Sequence, residues 1–105
     1  KITYTNANDG EDMDMSYSLH VLREPTTTFT VNLLNGVVDQ KLTIINMGAQ
    51  DAKVNVSSKT QMFDAAGSNI STLTFSRGQS GTWIYDTTDA AWYNVNAGAS
   101  IVLVG

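Results

Sequence analysis

Apolar residues recur along this chain at every second position far more often than at helical spacing. Tyr17, Leu19 and Val21 alternate with Ser18 and His20; Phe29, Val31 and Leu33 with Thr28, Thr30 and Asn32; Ala52, Val54 and Val56 with Lys53 and Asn55. Successive side chains of a strand point to opposite faces, so each run reads as one dry face and one wet face. On that reading His20 lies on a wet face. Further strands are predicted at 40–47, 72–75, 82–85, 92–95 and 101–104. Turn signals separate them at Leu34-Asn35-Gly36, Gly48, Gly67, Arg77-Gly78, residues 86–90 and Gly98. About eight short strands at this spacing predict an all-β domain, a small antiparallel β-sandwich or β-barrel. Residues 60–66 are the one stretch with the character of a helical turn.

The densest aromatic stretch is "GTWIYDTTDAAWYNV", residues 81–95, with both tryptophans and two of the four tyrosines. Trp83 and Tyr85 share one face of their strand. After the turn, Trp92 and Asn94 oppose Ala91, Tyr93 and Val95. Whether the two tryptophans meet depends on the register of the hairpin. Large aromatics are mostly buried, which makes Tyr85 and Tyr93 candidates for a structural aromatic core. Trp83 and Trp92 are the candidate contacts for a glycan or a partner, should either ring face solvent.

Composition narrows the classes of function. With 105 residues the chain is one domain, large enough for a core of its own. There is no cysteine, so thiolate zinc sites, disulfides and thiol nucleophiles are excluded. The formal charge is −4 and the six Lys and Arg residues are scattered singly, without the basic stripe that phosphate backbones require. Nucleic acid is not an expected partner. No apolar run approaches the roughly 20 residues that a membrane helix needs, and no membrane is expected either.

Candidate chemistry is sparse. His20 is the sole histidine, with no nucleophile or carboxylate near it in sequence to mark a triad, and reads as a surface or interface residue. "DGEDMD" places Asp9, Glu11, Asp12 and Asp14 close together, yet without the calcium-loop pattern, so a solvated acidic loop is expected rather than a metal site. Asp86 and Asp89 flank the aromatic turn and suit turn formation better than paired acid and base. Glycine-rich phosphate loops are absent. The chain therefore reads as non-enzymatic, with no catalytic residues, no metal and no cofactor.

Three segments carry a resemblance: "LTIINMGAQDAKVNV", then "GSNISTLTFSRGQSGTWIYDTTDAAWYNV", then "NAGASIV". Together they resemble a β domain of tailed-phage virion proteins, found in small capsid decoration (cement) proteins and in parts of tail fibres. The resemblance runs from Thr28 to the C-terminus. Its elements are a turn at Val38-Asp39-Gln40, with Asp39 where glycine is usual, a strand and turn at 43–48, another at 72–80, and Tyr85 paired with Trp92, Tyr93 and Val95. The resemblance implies a structural protein on the outer surface of the capsid. It would bind the major capsid protein, as a homotrimer, to stabilise the head. The alternative it leaves open is a tail-fibre or receptor-binding domain that recognises host glycans.

Residues 1–15 lie outside that likeness. Polar and acidic, they read as an N-terminal arm attached to a body of residues 16–105. Ile2 and Tyr4 of "ITYT" are the expected anchors of the arm on a neighbouring subunit or on the capsid.

Overall fold

The computed structural model describes residues 1–57, 59–64, 66–95 and 102–104. It is an all-β sandwich. The strands are β1 (Ile2–Tyr4), β2 (Leu19–Leu22), β3 (Phe29–Asn32), β4 (Lys41–Asn46), β5 (Ala52–Asn55), β6 (Met62–Phe63), β7 (Thr72–Phe75), β8 (Ser80–Asp86), β9 (Ala91–Asn94) and β10 (Val102–Val104). One sheet has six strands in the order β1-β2-β4-β8-β9-β6, and the other has four in the order β10-β7-β5-β3. The strands predicted from alternation are all present. β1 was expected to pair outside this chain and β6 was not expected; residues 62–63 pair with β9 instead of coiling. The helical turn lies elsewhere, a 3-10 turn at Asn6–Asn8 capped by Thr5. The "NAGASI" part of the third resembling segment and the turn expected at Gly98 lie outside the described residues.

The chain changes sheet at nearly every connection, which explains the pairing. β4–β8, β5–β7, β7–β10 and β8–β9 are antiparallel. β1–β2, β2–β4, β3–β5 and β6–β9 are parallel. The sandwich expected from the sequence is present, but its sheets are mixed. Of the described strands only β8 and β9 form a hairpin, with Tyr85 opposite Trp92 and Trp83 opposite Asn94.

That register puts both tryptophans on the inner face, each fully buried. Trp83 meets Phe75 of the other sheet edge-on at 6.3 Å, and Trp92 meets Tyr85 at 5.0 Å. Each indole rests on a glycine. A Cβ on Gly81 would stand 2.5 Å from the Trp83 ring and one on Gly36 would stand 2.8 Å from the Trp92 ring, so no other residue fits there unless the ring shifts. Leu42, Ile44, Val31, Val54, Leu73 and Met62 complete the core around them.

Asn46 ends β4 with its side chain fully buried. Its amide donates to the carbonyls of Gln50 and Phe75 at 2.8 Å each, and its oxygen accepts from the Gly48 amide at 2.9 Å. The bonds fold the turn between β4 and β5 and tie it to β7 across the sandwich. Asn46→Ala leaves those buried groups unpaired and should lower stability by about 1–3 kcal/mol, measured by denaturant unfolding. Asn46→Ala unfolding at the wild-type midpoint would refute this account of the turn.

The N-terminal segment is not an arm. β1 adds in parallel to β2, with Ile2 opposite His20 and Tyr4 opposite Leu22. The chain then crosses to the other sheet, where residues 9–13 run along the edge of β3. There the Gly10 amide donates to the Thr30 carbonyl, the Asn32 amide to Glu11 and the Met13 amide to Asn32. Tyr4 and Met13 are buried in the core. Residues 1–15 thus close one open side of the sandwich. The sequence failed to show this because a single buried Tyr and a single buried Met leave no periodicity. The boundary expected between residues 15 and 16 does not divide arm from body.

Candidate functional site

The side chains expected to carry function are mostly structural. Tyr4, expected on a partner's surface, is only 3% exposed in this chain's own core, and Ile2 packs partly buried against that core. Tyr4 is therefore not available as an external anchor, and part of Ile2 is spent on this chain's own core. Trp83 and Trp92 are inaccessible, so the glycan contact expected of them does not exist on this surface. The Trp92 indole N–H donates to the Leu34 carbonyl at 2.9 Å, whereas Trp83 Nε1 has no partner among the described residues. Tyr85 belongs to the core as expected. Tyr93 does not: it lies on the outer face, half-buried, tilted against Phe63 at 5.9 Å. Its hydroxyl donates to Asp89 at 2.6 Å, and that bond to a carboxylate raises the phenol's pKa.

His20 is also corrected. The alternation of residues 17–21 has its faces reversed, because pairing with β4 sets Leu19 and Val21 on the outer side, where Val21 is nonetheless buried, and turns His20 and Leu22 inward, a swap that a one-residue shift produces along the whole strand. The imidazole is fully buried and stacks on the Tyr4 ring at 5.7 Å. The Tyr4 hydroxyl lies 2.9 Å from Nδ1 and the Tyr17 carbonyl 2.8 Å from Nε2.

The acidic cluster has a structural use. Asp9 accepts from the Thr30 amide at 2.9 Å and Asp12 from the Asn32 side chain at 3.1 Å, while Lys59 sits 3.7 Å from Asp12. Its carboxylates cover the β3 edge, where charge discourages pairing with another chain. Among the described residues, no three His, Asp or Glu groups gather in an arrangement that could hold a metal ion. Asp86 accepts from the Thr88 amide at 2.9 Å and so builds the turn it precedes. Glu24 accepts from the Asn6 amide at 2.7 Å and from Thr26, which holds its carboxyl below the usual pKa and ties residue 6 to the connection after β2.

What remains as a candidate site is a surface rather than a cleft. A cavity of about 200 Å³ lined by Ser57, Thr60, Gln61, Asn69, Ile70 and Ser71 is smaller than the roughly 300 Å³ at which small-molecule sites begin. The two outer faces, by contrast, differ in kind. On the four-stranded sheet the outward residues of β3, β5 and β7 are Thr30, Asn32, Lys53, Asn55, Thr72 and Thr74, all polar. On the six-stranded sheet Val21, itself only 1% exposed, forms one row with Ile45 and Ser80; Leu19, Thr43 and Thr82 form a second, and Lys41, Ile84, Tyr93 and Phe63 a third. Thr43 and Thr82 satisfy each other's hydroxyls at 2.9 Å. The face carries few charges, Lys41 and Asp86 near one end.

This face left a signal in the sequence. Strands covered on one side alternate, as β3, β5 and β7 do. Consecutive apolar residues at Val21-Leu22, Ile44-Ile45, Trp83-Ile84-Tyr85 and Trp92-Tyr93 require that one of each group point away from the core. The apolar residues of that face are partly buried, and the most exposed large apolar residues lie instead in the connection between β3 and β4, where Val37 and Val38 are 68% and 64% exposed. Their turn is well braced. Gln40 accepts from the Val37 amide at 3.0 Å and donates to the Met15 carbonyl at 2.7 Å, and Asp39 takes a φ of 58°, the left-handed conformation that makes glycine usual there.

No family model matches the sequence, and no curated protein matches it. Among solved structures it is similar to a chain from a chaperone-substrate complex, with a TM-score of 0.55 at 17% identity, over 85% of this chain and 15% of that one. The likeness is one of fold, and this chain spans a small part of the length of the other.

Proposed function

We propose that this is a non-enzymatic structural protein of a virion, a capsid decoration protein that binds the outer shell through the outer face of its six-stranded sheet. The observation that carries the reading is the contrast between two surfaces: Leu19, Ile45, Ile84, Tyr93 and Phe63, all partly buried, stand outward on one sheet, while the outward residues of β3, β5 and β7 on the other are polar. A broad, shallow face with few charges suits another protein's surface better than a small ligand. The motifs from residue 28 to the C-terminus that resemble tailed-phage virion domains supply the kind of partner, the major capsid protein. A trimer would multiply weak individual contacts over a lattice. The N-terminal segment has no part in the contact, because it is spent on closing the sandwich.

Co-sedimentation with purified capsids tests this. Wild-type protein should pellet with expanded heads. Ile84→Glu, which puts a charge in the middle of the face, should reduce the bound fraction at least tenfold. Lys53→Glu, on the polar outer face, should leave it unchanged. A chain that never pellets with heads, or that loses binding equally in both variants, refutes the reading.

A further inference from the structure

We propose that His20, Tyr4 and Asp14 form an acid-sensitive latch: neutral His20 holds β1 on the edge of β2, and protonation of its ring loosens that hold, so that β1 opens more often. The bond directions fix the resting state. The carbonyl of Tyr17, 2.8 Å from Nε2, can only accept, so Nε2 carries the hydrogen. Nδ1 of the neutral ring then has a lone pair, which accepts from the Tyr4 hydroxyl at 2.9 Å. The Tyr4 oxygen in turn accepts from the Asp14 amide at 2.9 Å. The result is a one-way relay, from the Asp14 amide through the Tyr4 hydroxyl and the imidazole to the Tyr17 carbonyl, with every donor and acceptor used.

A second proton on the imidazole breaks the order of this relay. Nδ1–H would point at a hydroxyl whose own hydrogen already occupies that line, and a charge would appear on a fully buried ring. The groups around it divide. From β1 come Tyr4, which is neutral, and the α-amino group of Lys1, which opposes a second positive charge. From the segment before β2 come Tyr17 and the Asp14 carboxylate, which attracts one but is engaged by Ser16 at 2.6 Å. From β4 the residue opposite is Ile44, which is apolar. Burial is the largest effect and holds the imidazole below its ordinary value of 6.5. The stabilisation is therefore complete above that value and is lost as pH falls through the lowered folded value. β1 is the element that opens because it is a three-residue edge strand bonded to β2 alone in its sheet. Its opening bares the β2 edge, a row of backbone groups able to take an extended strand from another chain.

Amide hydrogen exchange on the full chain at pH 7.5 and pH 5.0, corrected for intrinsic rates, reads the latch directly. Both values lie above the range in which Asp14 and Glu24 titrate, since their pKa values are lowered. Protection of the β1 and β2 amides should fall at least tenfold at pH 5.0 while the amides of β5 and β7 keep theirs. His20→Gln, whose side-chain amide can still donate towards the Tyr17 carbonyl, should remove the difference between the two pH values. Should that variant not fold, the NMR titration of His20 in the wild type decides: a shift of the β1 amides that tracks the imidazole supports the latch. Protection that does not depend on pH, a pH step that survives in His20→Gln, or an imidazole that titrates without moving β1 overturns it.

Discussion

Trp92→Ala is expected to lower stability by about 3–5 kcal/mol, a drop in Tm of roughly 15 °C or more for a domain of this size. The ring is fully buried between the sheets, packed edge-on against Tyr85 and laid over Gly36. Removing it opens a cavity that the rigid strands around it fill only in part. It also strips the Leu34 carbonyl of its donor and loosens the connection between β3 and β4 that this bond fastens. Comparison with Trp83 separates the two contributions. Trp83→Phe and Trp92→Phe both shrink a buried ring, but only the second breaks a hydrogen bond, so Trp92→Phe should cost about 1–3 kcal/mol more. Thermal unfolding followed by near-ultraviolet circular dichroism measures all three. A Trp92→Ala protein that melts within a few degrees of the wild type would show that the aromatic cluster is not the centre of the core.

Removing residues 1–8 is expected to be comparably damaging, by about 4 kcal/mol or more, since it takes away a buried aromatic ring together with a paired strand. Tyr4 leaves the core, His20 loses both its stacked ring and the hydroxyl on Nδ1, and Glu24 loses the Asn6 amide. The β2 edge is left unpaired and prone to aggregation. Tyr4→Phe isolates the polar part: packing stays, while the Asp14 amide and the His20 lone pair lose their shared partner, for about 1–3 kcal/mol. An appended arm would behave otherwise, with the thermal transition of the body untouched by the deletion. Capsid binding by the folded fraction of the truncated protein is expected to persist, because the proposed contact lies on the opposite side of β2 from the core.

Particular strands show how far sequence patterns reach. β3, β5 and β7 were legible because each has one wet face, and alternation of Thr, Asn and Lys with Phe, Val and Leu marks such a strand directly. β8 was legible in position and in the pairing of Trp83 and Tyr85 on one face, but not in which face turns inward. β2 was legible only in position. With Leu19, Val21 and Leu22 all apolar, the sequence offered two phases and the polar His20 tipped the choice to the wrong one. A buried histidine with a partner on each nitrogen satisfies its polarity internally, and nothing local records that the partners are Tyr4, 16 residues earlier, and the backbone of Tyr17. β6 is two residues long and β1 three, too short for any period.

The sequence by itself determined that the chain is all-β, where most strands and turns fall, that cysteine chemistry is excluded, and that Asp86 would build a turn. These follow from interactions between near neighbours: the two-residue period of the strand, the conformational freedom of turn residues, the absence of a reactive group. Tertiary structure alone decided the rest. It set the order of strands, in which the chain alternates between sheets and so pairs many of its strands in parallel. It also set the burial of both tryptophans, which hung on hairpin register, and the folding of residues 1–15 across both sheets. Only it could show that the apolar residues left over on several strands gather on one outer face. Each of these depends on contacts between segments far apart in the chain, whose free energy comes from the area they bury together, and no single window of sequence contains both partners.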